Sequence, residues 1–360
     1  FCCPIPTTHH LYNKIYPYIW HTLTPNMSHG IIETTAYARA GLLGNPTDGY
    51  FGKTISIIVR NFGARISLYP SPELQIEPQE QDINVYRNIY HLVDSVKLTG
   101  YYGGSRLIKA AIKRFCEYAE QQQIRLTSKN FTIRYHSSIP RQVGLAGSSA
   151  IITATMRALM EYYQVEIPPE ILPTLILSAE VDELGINAGL QDRVAQVYEG
   201  CVHMDFSEHI MKQEGRGEYE RLDPALLPKL YLAYKTDLGK VSGAVFNDVR
   251  TRFDNGDKGV IKTINEMAVL ADKGKEAIQK KDEKKLHQLM DKNFDLRCKI
   301  MNISDSNKEL VATARRCGAS AKFTGSGGSI IGVYKDDEVL NKLVVELKKI
   351  NARVIKPYIF

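Results

Sequence analysis

No run of apolar residues in this 360-residue chain is long enough to span a membrane. No basic start followed by an apolar stretch marks a secretory signal. Charge is not one-sided either: 46 Lys and Arg face 40 Asp and Glu, a formal net charge of +6, and the basic residues are scattered. That excess suits small anionic ligands and is a weak footprint for nucleic acid. Cysteine is scarce, with six residues in all. Cys116, Cys201, Cys298 and Cys317 lie far apart without metal-ligand spacing, and read as buried thiols in a reducing, cytoplasmic setting. The adjacent Cys2-Cys3 fits neither a zinc knuckle nor a useful disulfide. The histidines, His136 and His203 among them, show no ligand spacing and read as ordinary polar or packed residues. There is no internal repeat and no low-complexity tract.

What is present is an ordinary globular composition, 44% hydrophobic and 24% charged, long enough for one large domain or two ordinary ones. Residues 1–33, broken by Pro4, Pro6, Pro17 and Pro25, are set apart as an extension outside the fold. Beyond them, Thr34–Leu43, Thr54–Val59, Ala64–Leu68, Leu74–Glu77 and Phe131–Tyr135 read as strands. Helical spacing runs over Ile83–Val96, Ser105–Gln122, Ser148–Tyr163 and Leu172–Leu184. A Gly-rich turn then precedes a strand, Gly200–Met204, and the polar stretch Glu208–Asp223 reads as a connection. In the second half, strands at Lys229–Tyr234, Ser329–Tyr334 and Arg353–Tyr358 flank Lys-rich helical patterns over Ser242–Ala319 and a helix at Asp337–Lys349. The pattern is α+β in two halves, 34–207 and 225–360.

The sharpest segment is Pro140-Arg141-Gln142-Val143-Gly144-Leu145-Ala146-Gly147-Ser148-Ser149-Ala150, a small-residue bend feeding a strong helix. Such a bend lets backbone approach a ligand, and the helix start aims free N–H groups and a positive dipole end at an anion. Taken alone, a Gly-Ser turn of this kind is more often a plain N-cap. Two other strings mislead. Gly52-Lys53-Thr54 ends like a P-loop, but Thr47 stands where the first glycine belongs and a strand-like run follows. Gly325-Ser326-Gly327-Gly328 does not complete a dinucleotide fingerprint, because Ile330 holds its sixth position.

Three ordered segments carry a family resemblance. Pro140–Ala150 resembles the second motif of the galactokinase–homoserine kinase–mevalonate kinase–phosphomevalonate kinase (GHMP) superfamily, with one extra residue at Ala146-Gly147. Ala38–Asp48 resembles the first motif in its sugar-kinase form, and Lys322–Ser329 the third. The chain departs from the pattern at Asn45-Pro46, where sugar kinases often carry an acid and a histidine, a difference that bears on the acceptor. Within the superfamily, longer strings resemble the plant-type glucuronokinases. They include Gly100–Gly104, Ala188–Tyr198, His203–Phe206 and Asn293–Arg297.

The resemblance implies a two-domain fold, with an N-terminal half like ribosomal protein S5 domain 2 and a ferredoxin-like C-terminal half. It implies transfer of the γ-phosphoryl group of ATP to a small anionic sugar, D-glucuronate giving its 1-phosphate, with Mg²⁺. Another acceptor, a galactose-type sugar or mevalonate, is the alternative within the fold; an inactive sugar sensor is the alternative outside catalysis. Carried over position by position, Asp192 is the catalytic carboxylate and Arg39 the basic residue that faces it, keeping it ionised and stabilising transferring charge. Pro140, Gly144, Leu145, Ala146, Gly147, Ser148, Ser149 and Ala150 hold phosphate, and Thr324, Gly325, Ser326 and Gly327 close over the nucleotide. Ser149 and Glu180 match the metal-binding positions, with Glu183 a rival one helical turn on and Asp182 pointing elsewhere. Asp48 matches a sugar-hydroxyl acid. For the uronate carboxylate the candidates are Arg193, Arg141, Tyr50, Tyr101 and Tyr102, and the two tyrosines between glycines read equally as a surface turn. Without the motifs, Asp192-Arg193 would be an exposed ion pair of little consequence and the acids of 180–183 a solvated face.

Overall fold

In the computed structural model the described residues are 30–77, 84–99, 105–236 and 244–360. Almost all of the proposed extension, and Tyr101 and Tyr102, lie outside them. The chain opens with β1 (Ile32–Leu43) and the 18-residue β2 (Lys53–Pro70), joined through a one-turn 3₁₀ helix at Thr47–Tyr50. β1 runs antiparallel to β2 from Ile32 opposite Leu68 to Leu43 opposite Ile55. The β-branched run Thr54–Val59 is buried, which makes β2 the spine of the sheet. On its free edge β6 (Cys201–Asp205) pairs with the first half of β2 and β5 (Phe131–Ser137) with the second. β3 (Leu74–Glu77), β4 (Asn84–Tyr86) and β7 (Glu218–Leu222) extend the ends of this seven-stranded sheet.

Several readings shift. Thr54–Val59 and Ala64–Leu68, expected as two strands, are parts of the single strand β2, and the closing strand ends at Ile355 rather than Tyr358. The helix expected from residue 83 starts later: α1 is Ile89–Thr99, because β4 pairs with β3 and Asn88 caps the helix by accepting the His91 N–H at 2.8 Å. α2 (Arg106–Gln121) and α3 (Gly147–Tyr163) lie where expected, and α4 (Leu172–Val181) ends a turn early, where Gly185 at φ 62° turns the chain. The supposed Gly-rich turn contains an eight-residue helix, α5 (Gln191–Tyr198), too short to show a period. The polar connection folds into α6 (Glu208–Glu214) and β7.

The second half is a four-stranded antiparallel sheet of β8 (Leu230–Lys235), β9 (Lys322–Phe323), β10 (Ser329–Val333) and β11 (Ala352–Ile355), in the order β11-β8-β10-β9. Its helices are α7 (Ala244–Asp254), α8 (Lys258–Gln279), α9 (Glu283–Ile300), α10 (Asp305–Arg316) and α11 (Asp337–Lys348). Buried apolar residues from both halves form one continuous core. The halves meet along β1: Gly41 N–H donates to Thr324 O at 2.8 Å, and α8 lies so close that a Cβ on Gly274 would fall 2.0 Å from Leu43. No helix among the described residues is long and apolar enough to cross a membrane.

Candidate active site

The bend before α3 is built from left-handed backbone: Gln142, Gly144 and Ala146 have φ of 59°, 73° and 60°. Ala146 sits at the N-cap, and no side chain caps α3. Neither serine caps the helix. Ser148 Oγ donates to Glu180 Oε1 at 2.6 Å, while the buried Ser149 Oγ returns to Ala146 O at 3.2 Å. The first-turn N–H groups of a 17-residue helix are thus left without a side-chain acceptor, the arrangement that holds an anion. Leu145 and Ala150 are buried behind the bend, Pro140 and Gly147 half-buried, and Arg141 exposed to solvent.

The third motif closes against this bend from the other half. Ser329 Oγ donates to Val143 O at 2.5 Å, and Thr324 Oγ1 lies 3.2 Å from Gly144 O. Thr324 and Ser329 also share a hydrogen bond. Gly325 sits against Gly144: a Cβ there would meet Gly144 O at 2.3 Å and Arg39 Nη1 at 2.9 Å. Ser326 backs onto Gly144 in the same clasp, and Gly327 turns the chain at φ 128°.

Arg39 lies where the two loops and the acids meet. Its Nη1 donates to Thr324 O at 2.7 Å and Gly144 O at 3.1 Å, and its Nη2 pairs with Asp192 Oδ1 at 2.5 Å. Asp192 stands in the first turn of α5 with its side chain about one-fifth exposed. Beside it, Asp48 accepts the Gln191 N–H at 3.2 Å. Burial and then the charge of Asp192 push the Asp48 carboxyl above the usual range. Arg193, fully buried, pairs with Glu180 and donates to Gly189 O at 2.8 Å, with Asp192 Oδ2 3.6 Å from its Nη1. Burial, reinforced by Arg39, pulls its guanidinium down to about 9.

Glu180 and its rival part ways. Glu180 is completely buried beneath the phosphate bend, whereas Glu183 pairs with Lys113 on α2, and Asp182 is exposed. Tyr50 is buried edge-on to Phe253, their centroids 5.0 Å apart, with Arg250 above its ring. His203 is packed, its Nε2 3.1 Å from Asp272 Oδ1 and away from these groups. Among the described residues no group of three His, Cys, Asp or Glu could hold a metal by itself. Glu180 with the Ser148 hydroxyl beside it is nonetheless a hard-oxygen pair suited to Mg²⁺ shared with phosphates, while the Ser149 hydroxyl turns back to Ala146 O.

Three residues that reasoning from the chain left without a role complete the seam. Lys322 is buried and spends its three N–H donors on Gly41 O (2.7 Å), Asn45 Oδ1 (2.5 Å) and Phe323 O (2.7 Å). Burial lowers its pKa well below the ordinary lysine value. Arg297 on α9 donates to Gly325 O at 2.8 Å and lies over the Phe323 ring. Asn293, one turn earlier, accepts the Gly44 N–H at 2.7 Å and so holds the first motif to the second half. Asn293 and Arg297 sit inside one of the longer strings quoted above and Lys322 opens the third motif, and that was their only signal.

This geometry has counterparts. Residues 106–200 match the family model for the GHMP kinases N terminal domain, and residues 275–352 the model for the GHMP kinases C terminal. The chain is 45% identical to Glucuronokinase 1 of Arabidopsis thaliana over 306 residues, 83% of this chain and 84% of that protein. It is 44% identical to Probable glucuronokinase 2 of the same plant over 335 residues, 91% of each. The fold is similar to that of the mevalonate kinase of Methanococcus jannaschii, with a TM-score of 0.72 at 21% identity, covering 93% of this chain and 100% of that one. The two-domain α+β fold expected from the motifs is the fold found. With both halves of the family in order around one seam and identity of this depth across most of its length, the chain belongs to the GHMP kinase family.

Proposed function

We propose that this chain transfers the γ-phosphoryl group of ATP to the anomeric hydroxyl of D-glucuronate, giving ADP and glucuronate 1-phosphate. The observation that carries the reading is the convergence of Asp192, held by Arg39, with two glycine loops on the same arginine. Phosphoryl transfer asks for positioning and charge neutralisation more than covalent chemistry. The N–H groups at the start of α3 and the bend Gly144–Ser149 would bind the β- and γ-phosphates, and Thr324–Gly327 would close over them. Glu180 and Ser149 would hold Mg²⁺, which when bound neutralises charge on the phosphates.

The acceptor oxygen attacks phosphorus as the bond to the bridging oxygen of ADP breaks, and the acceptor proton passes to Asp192. An anomeric hydroxyl is more acidic than an ordinary alcohol, so a carboxylate is an adequate base. Arg39 would stabilise charge on the transferring group. Asp48 would accept a sugar hydroxyl; its raised affinity for protons fits a carboxylate short of donors until a sugar supplies one. Among the candidates for the uronate carboxylate, Arg193 is favoured by its place beside Asp192, and Arg141 is disfavoured by its exposure.

The same reading keeps two domains, 34–207 and 225–360, supported by the division of strands between two sheets, although β7, in the stretch between them, pairs onto the first sheet. It also places the reaction in the cytoplasm, in keeping with the free thiols of Cys116, Cys201, Cys298 and Cys317, although only Cys116 and Cys201 are buried as expected while Cys317 is half-buried and Cys298 exposed.

The test is an acceptor panel with ATP consumption as readout. Glucuronate should exceed galactose, glucose and mevalonate in kcat/KM, and Arg193→Ala should reduce the rate with uronates more than with neutral hexoses. A panel led by a neutral sugar or mevalonate would overturn the acceptor.

A further inference from the structure

One carboxylate is claimed from both ends of the site. Glu180 Oε1 takes the hydroxyl of Ser148, at the head of the phosphate-binding helix, at 2.6 Å. Glu180 Oε2 takes the guanidinium of Arg193, which stands next to Asp192 on α5. Both side chains are buried, with relative exposures of 3% for Arg193 and 1% for Glu180. A buried pair of this kind is held firmly only while both partners stay: removing one leaves the other charge uncompensated in low dielectric.

We propose that the Arg193–Glu180 pair is a latch, opened by metal-bound nucleotide, that withholds Arg193 from the acceptor until ATP is in place. This rests on the glucuronate reading. Were a divalent cation held at Glu180, the carboxylate would be satisfied and the guanidinium repelled, so Arg193 would lose its Glu180 partner. A buried guanidinium stripped of its counter-charge is costly to keep. The anions open to it lie on the acceptor side, where Asp192 Oδ2 is already 3.6 Å away. Asp192 is engaged with Arg39, so the carboxylate of an incoming uronate is the better new partner, bound through the planar guanidinium fork. A neutral hexose offers no such charge. Metal–nucleotide and uronate therefore raise each other's affinity, as linkage requires, and metal–nucleotide and neutral sugar do not.

Calorimetric titration of the whole chain tests this without turnover. Glucuronate is titrated into protein alone, with a non-hydrolysable ATP analogue plus EDTA, and with the analogue plus Mg²⁺; galactose serves as the neutral comparison. The expected result is a dissociation constant for glucuronate about tenfold lower with analogue and Mg²⁺ than in the other two states, and no such change for galactose. Glu180→Gln should lower the constant of the protein alone by about the same factor and remove the further gain from Mg²⁺. Equal tightening for both sugars, or none for glucuronate, overturns the latch, and the wild-type series decides this even if Glu180→Gln fails to fold. If glucuronate binds better than galactose in all three states by the same ratio, only the latch fails. If glucuronate binds no better in any state, the acceptor reading fails with it.

Discussion

Lys342 and Glu338 on α11 lie 2.8 Å apart with side chains 58% and 77% exposed, and Arg193 and Glu180 form the same kind of pair almost wholly buried. The outer helices carry many of the first sort, among them Arg250–Asp254 and Lys280–Glu276, each spaced four residues apart. The seam carries the second: Arg39, Arg193, Arg297, Lys322 and Glu180 are all under a tenth exposed. Exposed pairs gain little because water competes for both charges. Buried charges are costly to place, and the fold retains them here around two backbone loops left with N–H groups to offer. The difference marks the place where we propose that the chain binds anions.

The comparison is sharpened first at Asp192. Asp192→Asn keeps the side chain's size and should lower kcat by roughly 10²–10⁴-fold while nucleotide affinity changes little. Calorimetry beside steady-state rates checks both halves, and a near-normal rate would remove the base assignment. Next comes the clasp between the loops. Gly325→Ala must push a Cβ into Gly144 O and Arg39, and a displacement of about 1 Å there should cost roughly 10²-fold in kcat/KM for ATP. An alanine variant with unchanged kinetics would mean that the loops do not need to touch.

Asp48 gives a smaller effect of opposite sign on stability. Its folded pKa is raised, so the folded state holds the proton more tightly; this favours folding below the ordinary carboxyl range and is lost as pH rises through the raised value. Asp48→Asn should therefore melt higher than wild type at pH 8, with the gap closing below about pH 4, while sugar affinity falls. A variant that melts lower at pH 8 contradicts the direction. The smallest effect belongs outside: Lys342→Ala should leave the midpoint of a denaturant titration and the kinetics essentially unchanged.

These contrasts also explain what could be read from the chain. β1 and both stretches of β2 were legible because β-branched runs announce them locally, though not that the two stretches are one strand, and the bend before α3 because its small residues precede a long periodic helix. α5 was not, because eight residues after a glycine turn carry too little periodicity, although Asp192 and Arg193 ride on it. The pairing of Arg193 with Glu180 and the three bonds of Lys322 join positions that only the folded chain brings together. Partners likewise separated Glu180, bonded to Ser148 and Arg193, from its rival Glu183, paired with Lys113.

The central claim is that the seam delivers phosphorus to the anomeric oxygen of a uronate. Phosphorus NMR of the product formed from ATP, Mg²⁺ and glucuronate tests it directly. The account predicts a sugar monophosphate whose phosphorus couples to the anomeric proton. A phosphorus coupled to any other ring proton, or ATP left unconsumed by a folded protein, would contradict it.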